Sequence, residues 1–147
     1  MSHILDDQAS LATDDTRADS ALLIARLAIA VLFLWAGVGK AGAPEAQAAY
    51  IAQHGLPAAS VLVWAAAAVE LLGGALLLIG WQVRSAALVL AVYTIVAAIV
   101  FHAFWSAPAA EVMMQKINFM KNLAIAGGLI ALAGVGGGRY AIVGAGR

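Results

Sequence analysis

One carboxylate stands alone in the most apolar part of this chain. Glu70 is the single formal charge in residues 58–80 and falls near the middle of that run. The run is long enough to cross the roughly 30 Å of bilayer hydrocarbon as a helix. A charged side chain at that depth costs at least about 2.5 kcal/mol, so Glu70 must be protonated, paired, or set against a water-filled cavity. Few residues could meet it: Lys40, His102, Asn118, Lys121 and Asn122. Lysines would compensate the charge, and a histidine that titrates near neutral pH could carry a proton. The chemistry within reach is the binding of a polar head group and the movement of a proton, inside a membrane.

The helix that must position Glu70 has two unlike sides. At 100° per residue, Ala66, Glu70 and Gly74 share a face with Ala67 and Gly73 beside them, while Val61, Leu72 and Ile79 point away. Small residues let a neighbouring helix approach closely, and the leucine side can face lipid.

Three more spans complete the set. The first covers residues 21–39, with Arg26, Phe33, Gly37 and Lys40 on one stripe. Snorkelling to opposite headgroup layers accounts for both cations and is the reading preferred for Arg26. For Lys40 the stripe equally turns the ammonium toward the bundle. The third span covers residues 85–105 and carries His102 near its end, on a face with Ala91, Ile95, Ala98 and Trp105. Trp105 suits the interface. The fourth runs from about residue 117 to 136, with Lys121, Ile125, Gly128 and Leu132 on one stripe and Asn118 and Asn122 on its shoulder. Ala124 and Ala131 lie on the other shoulder. A lysine near a helix end can snorkel. Two amides beside it, next to small residues, equally suit a polar lining.

Residues 42–57 are too polar to cross. Pro44 at a helix start, Glu45 at its positive end, and Gly55 with Pro57 as a stop predict a short helix on the membrane surface, with Tyr50, Ile51 and His54 on one side. His54 reads as an ordinary exposed or interfacial histidine. Residues 1–20 are acidic and lack the basic start of a secretory signal, so they read as a flexible tail. Asp14-Asp15-Thr16 or Asp19-Ser20 is placed to cap the first span. The expected organisation is a tail over 1–20, a four-helix transmembrane domain over 21–138, and a short tail over 139–147.

Composition agrees. The 147 residues are 64% hydrophobic and 11% charged, with zero net charge, and mean hydropathy is +0.94. Soluble domains carry about 25% charged residues, and a chain this short could not hide the surplus in one core. The absence of cysteine removes thiol redox chemistry, iron–sulfur ligation and cysteine-based zinc sites. Three histidines make a protein-ligated metal centre unexpected, and there is no basic tract for nucleic acid. Arg17, Arg26, Arg84, Arg139 and Arg147 fall on one side of the four spans, and Lys40, Lys116 and Lys121 on the other. The positive-inside rule then puts both termini in the cytoplasm.

With that topology Lys40, His102, Asn118, Lys121 and Asn122 gather toward the outer end, above Glu70. A Glu70–Lys121 or Glu70–Lys40 pair would offset the burial of the carboxylate. Two lysines and a histidine against one carboxylate suit an anionic or quinone-like ligand better than a cation. The same groups could equally act only as a clamp between helices.

Four of these stretches also carry a resemblance. Arg26-Leu27 leading to Gly37-Val-Gly39-Lys40, the box Val69-Glu70-Leu71-Leu72-Gly73-Gly74, Phe101-His102-Ala-Phe-Trp105, and Asn118-Phe-Met-Lys121-Asn122-Leu-Ala-Ile-Ala-Gly127-Gly128 follow one another as in the DoxX family of small bacterial inner-membrane proteins. The chain resembles that family from Arg26 to about Ala133, outside the acidic tail. The resemblance implies a four-helix membrane bundle in a bacterial inner membrane and a loose association with redox. Relatives include a subunit of thiosulfate:quinone oxidoreductase, and others are proposed to join oxidative-stress complexes. No haem, flavin or metal motif is evident in this chain, so a redox role would need a bound quinone or the cofactor of a soluble or membrane partner. Autonomous catalysis is therefore not expected. Three functions stay open: a redox-associated subunit binding a quinone or small anion, a small proton-coupled transporter working through Glu70 as a homo-oligomer such as a dimer, and a non-catalytic scaffold for a soluble partner.

Overall fold

The computed structural model describes the backbone of residues 2–142 and the side chains of residues 16–142. Five helices account for the secondary structure among the described residues, so this is an all-α protein: α1 Ser2–Gly42, α2 Pro44–Gln53, α3 Ala59–Ile79, α4 Val83–Phe101 and α5 Val112–Val135. Four of them are long and apolar enough to cross a membrane, with α1 contributing Thr16–Gly42. The 21 residues of α3 rise about 32 Å, enough for one crossing. The protein is a four-span membrane bundle that sits in a lipid bilayer. The short α2 between the first two spans matches the expected surface helix.

α3 is the hub: it packs against α1, α2 and α4, and α4 in turn pairs with α5. Its small residues make this possible. A Cβ on Gly73 would stand 2.8 Å from Leu90 Cγ of α4, and one on Gly37 of α1 would stand 2.7 Å from Leu71 Cγ. The face expected to be inward is inward, with Ala67, Glu70, Gly73 and Gly74 buried. Val61, Leu72 and Ile79 are exposed, as lipid-facing side chains must be. Leu77, Leu90, Leu129 and Val63 fill the interior. Gly80 ends α3 at φ +78°, where its N–H caps the carbonyls of Leu76 and Leu77. The left-handed turn favours glycine there.

The structure departs from several expectations. α1 runs unbroken from Ser2, so no helix starts at Asp19 or Ser20. The Asp19 side chain accepts from the N–H of Arg139 at 3.0 Å instead of capping α1. The side chains of Asp14 and Asp15, and residues 143–147, lie outside the described residues. α5 starts at Val112 rather than near residue 117, because Glu111, following Pro108, takes the N-cap position.

Arg26 does not snorkel. It is 2% exposed, and its guanidinium donates to the carbonyls of Gly137 and Tyr140, each at 3.1 Å. The turn after α5 leaves those carbonyls without helical partners, and a buried guanidinium satisfies both. Arg84 does the same for the end of α5, donating to the carbonyls of Ala133, Gly134 and Val135.

Candidate ligand-binding site

The antiparallel course of α1 and α3 sets Gly37 beside Leu71 and Glu70. One turn further along α1, Lys40 swings back and places Nζ 2.8 Å from Oε1 of Glu70. From α4, the hydroxyl of Tyr93 donates to the same oxygen at 2.8 Å. Three helices thus converge on one carboxylate that is 4% exposed. Two donors on one oxygen suit an ionised carboxylate, and the ion pair offsets the cost of holding charge at that depth. The second oxygen, Oε2, is buried with no hydrogen-bond partner among the described residues.

This cluster forms part of the wall of a partly open cavity of about 600 Å³ between the spans and α2. Most of the wall is aliphatic or aromatic, including Phe33, Val69, Val100 and Ile125. Its polar members are Lys40, Gln47, Tyr50, Glu70, Tyr93, Thr94, His102 and Asn122. Thr94 spends its hydroxyl on the carbonyl of Leu90 at 2.7 Å, as a buried threonine in a helix commonly does. At the α2 side, Tyr50, His54 and Phe101 form a ring cluster, with Tyr50 and Phe101 stacked at 5.6 Å. His54 itself is exposed and bonded to the carbonyl of Tyr50 at 2.9 Å. Burial, and then the charge of Glu111, push the Tyr50 phenol above its ordinary range.

Of the six residues singled out in the sequence, Lys40, Glu70, His102 and Asn122 meet at this cavity. Asn118 and Lys121 are not part of its wall. Lys121 is exposed and makes no ion pair among the described residues, so of the two candidate partners for Glu70 it is Lys40 that pairs. His102 is not on a helical face with Trp105, because α4 ends at Phe101 and His102 is its C-cap at φ −129°. Released from the helix, its Nδ1 pairs with Oε1 of Gln115 on α5 at 3.0 Å. Tyr93 and Gln115 are the additional polar partners that the structure brings to these residues. A tyrosine in the middle of a span, away from the interface where its hydroxyl finds water, is a sign of an internal partner. Gln115 carries no such sign.

The arrangement can hold a neutral lipophile. Lys40 cancels Glu70, and with Lys121 outside, the wall has no unpaired lysine. The ammonium of Lys40 still has two hydrogens to give, and its side chain is 22% exposed.

The DoxX family profile matches residues 21–103, from the start of the first span to the end of α4. The chain belongs to the DoxX family. It is 31% identical over 121 residues to inner membrane protein YphA of Escherichia coli strain K12, covering 82% of this chain and 86% of that protein. It is 33% identical over 124 residues to inner membrane protein YqjF of the same strain, covering 84% of this chain and 90% of that protein. No solved structure matches the chain. The profile match contains Lys40, Gln47, Tyr50, Glu70, Tyr93, Thr94 and His102, so every polar wall residue but Asn122 lies inside the DoxX region.

Proposed function

We propose that this DoxX protein is a redox-associated membrane subunit that binds a quinone-type ligand in the cavity beside Glu70. The observation that carries the reading is the Lys40–Glu70–Tyr93 cluster set in the wall of an apolar cavity of about 600 Å³. That volume is in the ordinary range for small-molecule sites, and few polar groups in a mostly apolar wall suit a ring with a polar edge. A free anion would need a positive charge that the ion pair has already neutralised. Lys40 would donate to a ring carbonyl, and His102 and Asn122 would offer polar contacts further along the wall. With no cysteine and no evident haem or flavin motif in the sequence, electrons would pass through the cofactor of a partner protein. In a bacterial cell the site of action would be the inner membrane, as the names of the relatives suggest. The arginine distribution favours cytoplasmic termini.

The test is titration of decylubiquinone into the full-length protein in lipid nanodiscs, with empty nanodiscs as the blank. Saturable binding that weakens about tenfold in Lys40→Ala supports the reading, since a charge-assisted hydrogen bond is lost. Purely linear partitioning, the same with and without protein, overturns it.

A further inference from the structure

The hydrogen bonds of Glu70 are lopsided. A carboxylate can accept about four hydrogen bonds over its two oxygens. Here both observed donors, Lys40 Nζ and Tyr93 Oη, fall on Oε1. Oε2 is buried and receives none from the described residues. A charged acceptor left unsatisfied away from water is costly, and more so than a neutral one. The Thr94 hydroxyl is committed to Leu90 and the Tyr93 hydroxyl to Oε1, and the Lys40 ammonium, though it has hydrogens to spare, stands on Oε1 and makes no bond to Oε2. The terminal torsion of glutamate is broad, so the carboxylate is able to rotate beside the cavity that Glu70 already lines.

We propose that the cavity selects a neutral lipophile bearing a hydroxyl, which donates its hydrogen to the unpartnered oxygen of Glu70. The inference rests on the quinone-type reading and sharpens it: of a quinone and its reduced dihydroxy form, the reduced form is held more tightly. A quinone ring offers only carbonyl oxygens, which can use Lys40 but would face Oε2 with a lone pair. A phenolic hydroxyl does the opposite and completes the acceptor. The ligand is neutral because Lys40 and Glu70 already sum to no charge. Its body is apolar because most of the cavity wall is aliphatic or aromatic, Phe33, Val69 and Val100 included.

Two probes isolate this hydrogen bond: para-nonylphenol and its methyl ether, para-nonylanisole, which share a tail and ring and differ in the one donor. Each is titrated into the full-length protein in nanodiscs by calorimetry, beside decylubiquinone. The phenol is expected to bind about tenfold more tightly than the ether, the scale of a hydrogen bond to a charged acceptor. Equal affinities in the unaltered protein overturn the inference without any variant. In Glu70→Gln, where an amide replaces one carboxylate oxygen, the preference is expected to fall to about twofold or less. A preference that survives intact there also overturns it. Binding of decylubiquinone with no phenol preference leaves the quinone reading standing and removes only this one. Binding of none of the three removes both.

Discussion

Lys40 and Glu70 lie thirty residues apart on antiparallel helices, yet their charged atoms stand 2.8 Å apart at the edge of a mostly apolar cavity. The approach depends on what lies between them. Gly37, one turn before Lys40, has no side chain, so α1 comes close enough that a Cβ there would stand 3.2 Å from the Cβ of Glu70. Backbone proximity brings the lysine within reach, and Tyr93 from the third helix completes the hold on Oε1.

Removing one partner of this pair should therefore cost more than removing both. Lys40→Met leaves a carboxylate that is 4% exposed without compensation and is expected to destabilise the bundle by about 3 kcal/mol, less if Glu70 takes up a proton. Lys40→Met combined with Glu70→Gln should recover most of that loss. Thermal unfolding of the parent, Lys40→Met, Glu70→Gln and the double variant in one detergent measures the cycle, and strictly additive shifts would show that the pair is not coupled.

Gly73 should tolerate nothing larger. A methyl there meets Leu90 at 2.8 Å, and Leu90 is fully buried. Gly73→Ala is expected to lower stability by about 1–3 kcal/mol through overpacking between α3 and α4. Leu90→Ala in the same chain should return part of it by opening the space. A Gly73→Ala protein that melts with the parent would mean that α3 and α4 can separate freely.

The fold was legible because it rests on period and length. The small-residue face around Glu70 and the outward Val61, Leu72 and Ile79 follow from helical geometry alone, and the structure places all of them as that geometry requires. Helix ends were less legible. His102 continues an apolar helical pattern, but its backbone has already left the helix at φ −129° and its ring meets Gln115. Arg26 misled for a related reason. A cation near the end of a span normally finds headgroups, but here the turn after α5 folds under it and offers two carbonyls. Lys40 and Lys121 were equal candidates for Glu70, since both lie within one long side chain of its depth. The close approach of α1 at Gly37 decides between them, and a single sequence does not display helix adjacency.

That distinction is testable at the ligand. Lys121 is exposed and outside the cavity wall, so Lys121→Ala should leave decylubiquinone affinity within about twofold of the parent. Lys40→Ala is the contrasting variant. Equal losses in both would return Lys121 to the site.

Arg26 should act as a fastener for the C-terminal turn. Replacement by Leu removes two part-buried hydrogen bonds to the carbonyls of Gly137 and Tyr140, an expected loss of about 1–3 kcal/mol. Limited proteolysis should then cut after residue 135 faster than in the parent, with the four spans still protected. Unchanged cleavage would show that the turn is held by Arg84 and Asp19 without it.

Tyr50 gives the pH dependence that α2 should show. Its phenol is neutral over a wider pH range when folded, because burial and then the Glu111 charge disfavour the phenolate. A raised folded value means that its contribution to stability is intact below the ordinary phenol pKa and is lost as pH climbs through the folded one. The phenolate absorbance of Tyr50, taken as the parent minus Tyr50→Phe, should thus appear above the range of a free tyrosine. Glu111→Gln removes the smaller of the two causes and should move the titration part of the way back. A Tyr50 that ionises like free tyrosine would mean that α2 does not hold its ring against Phe101, and the α2 side of the cavity would then stand open.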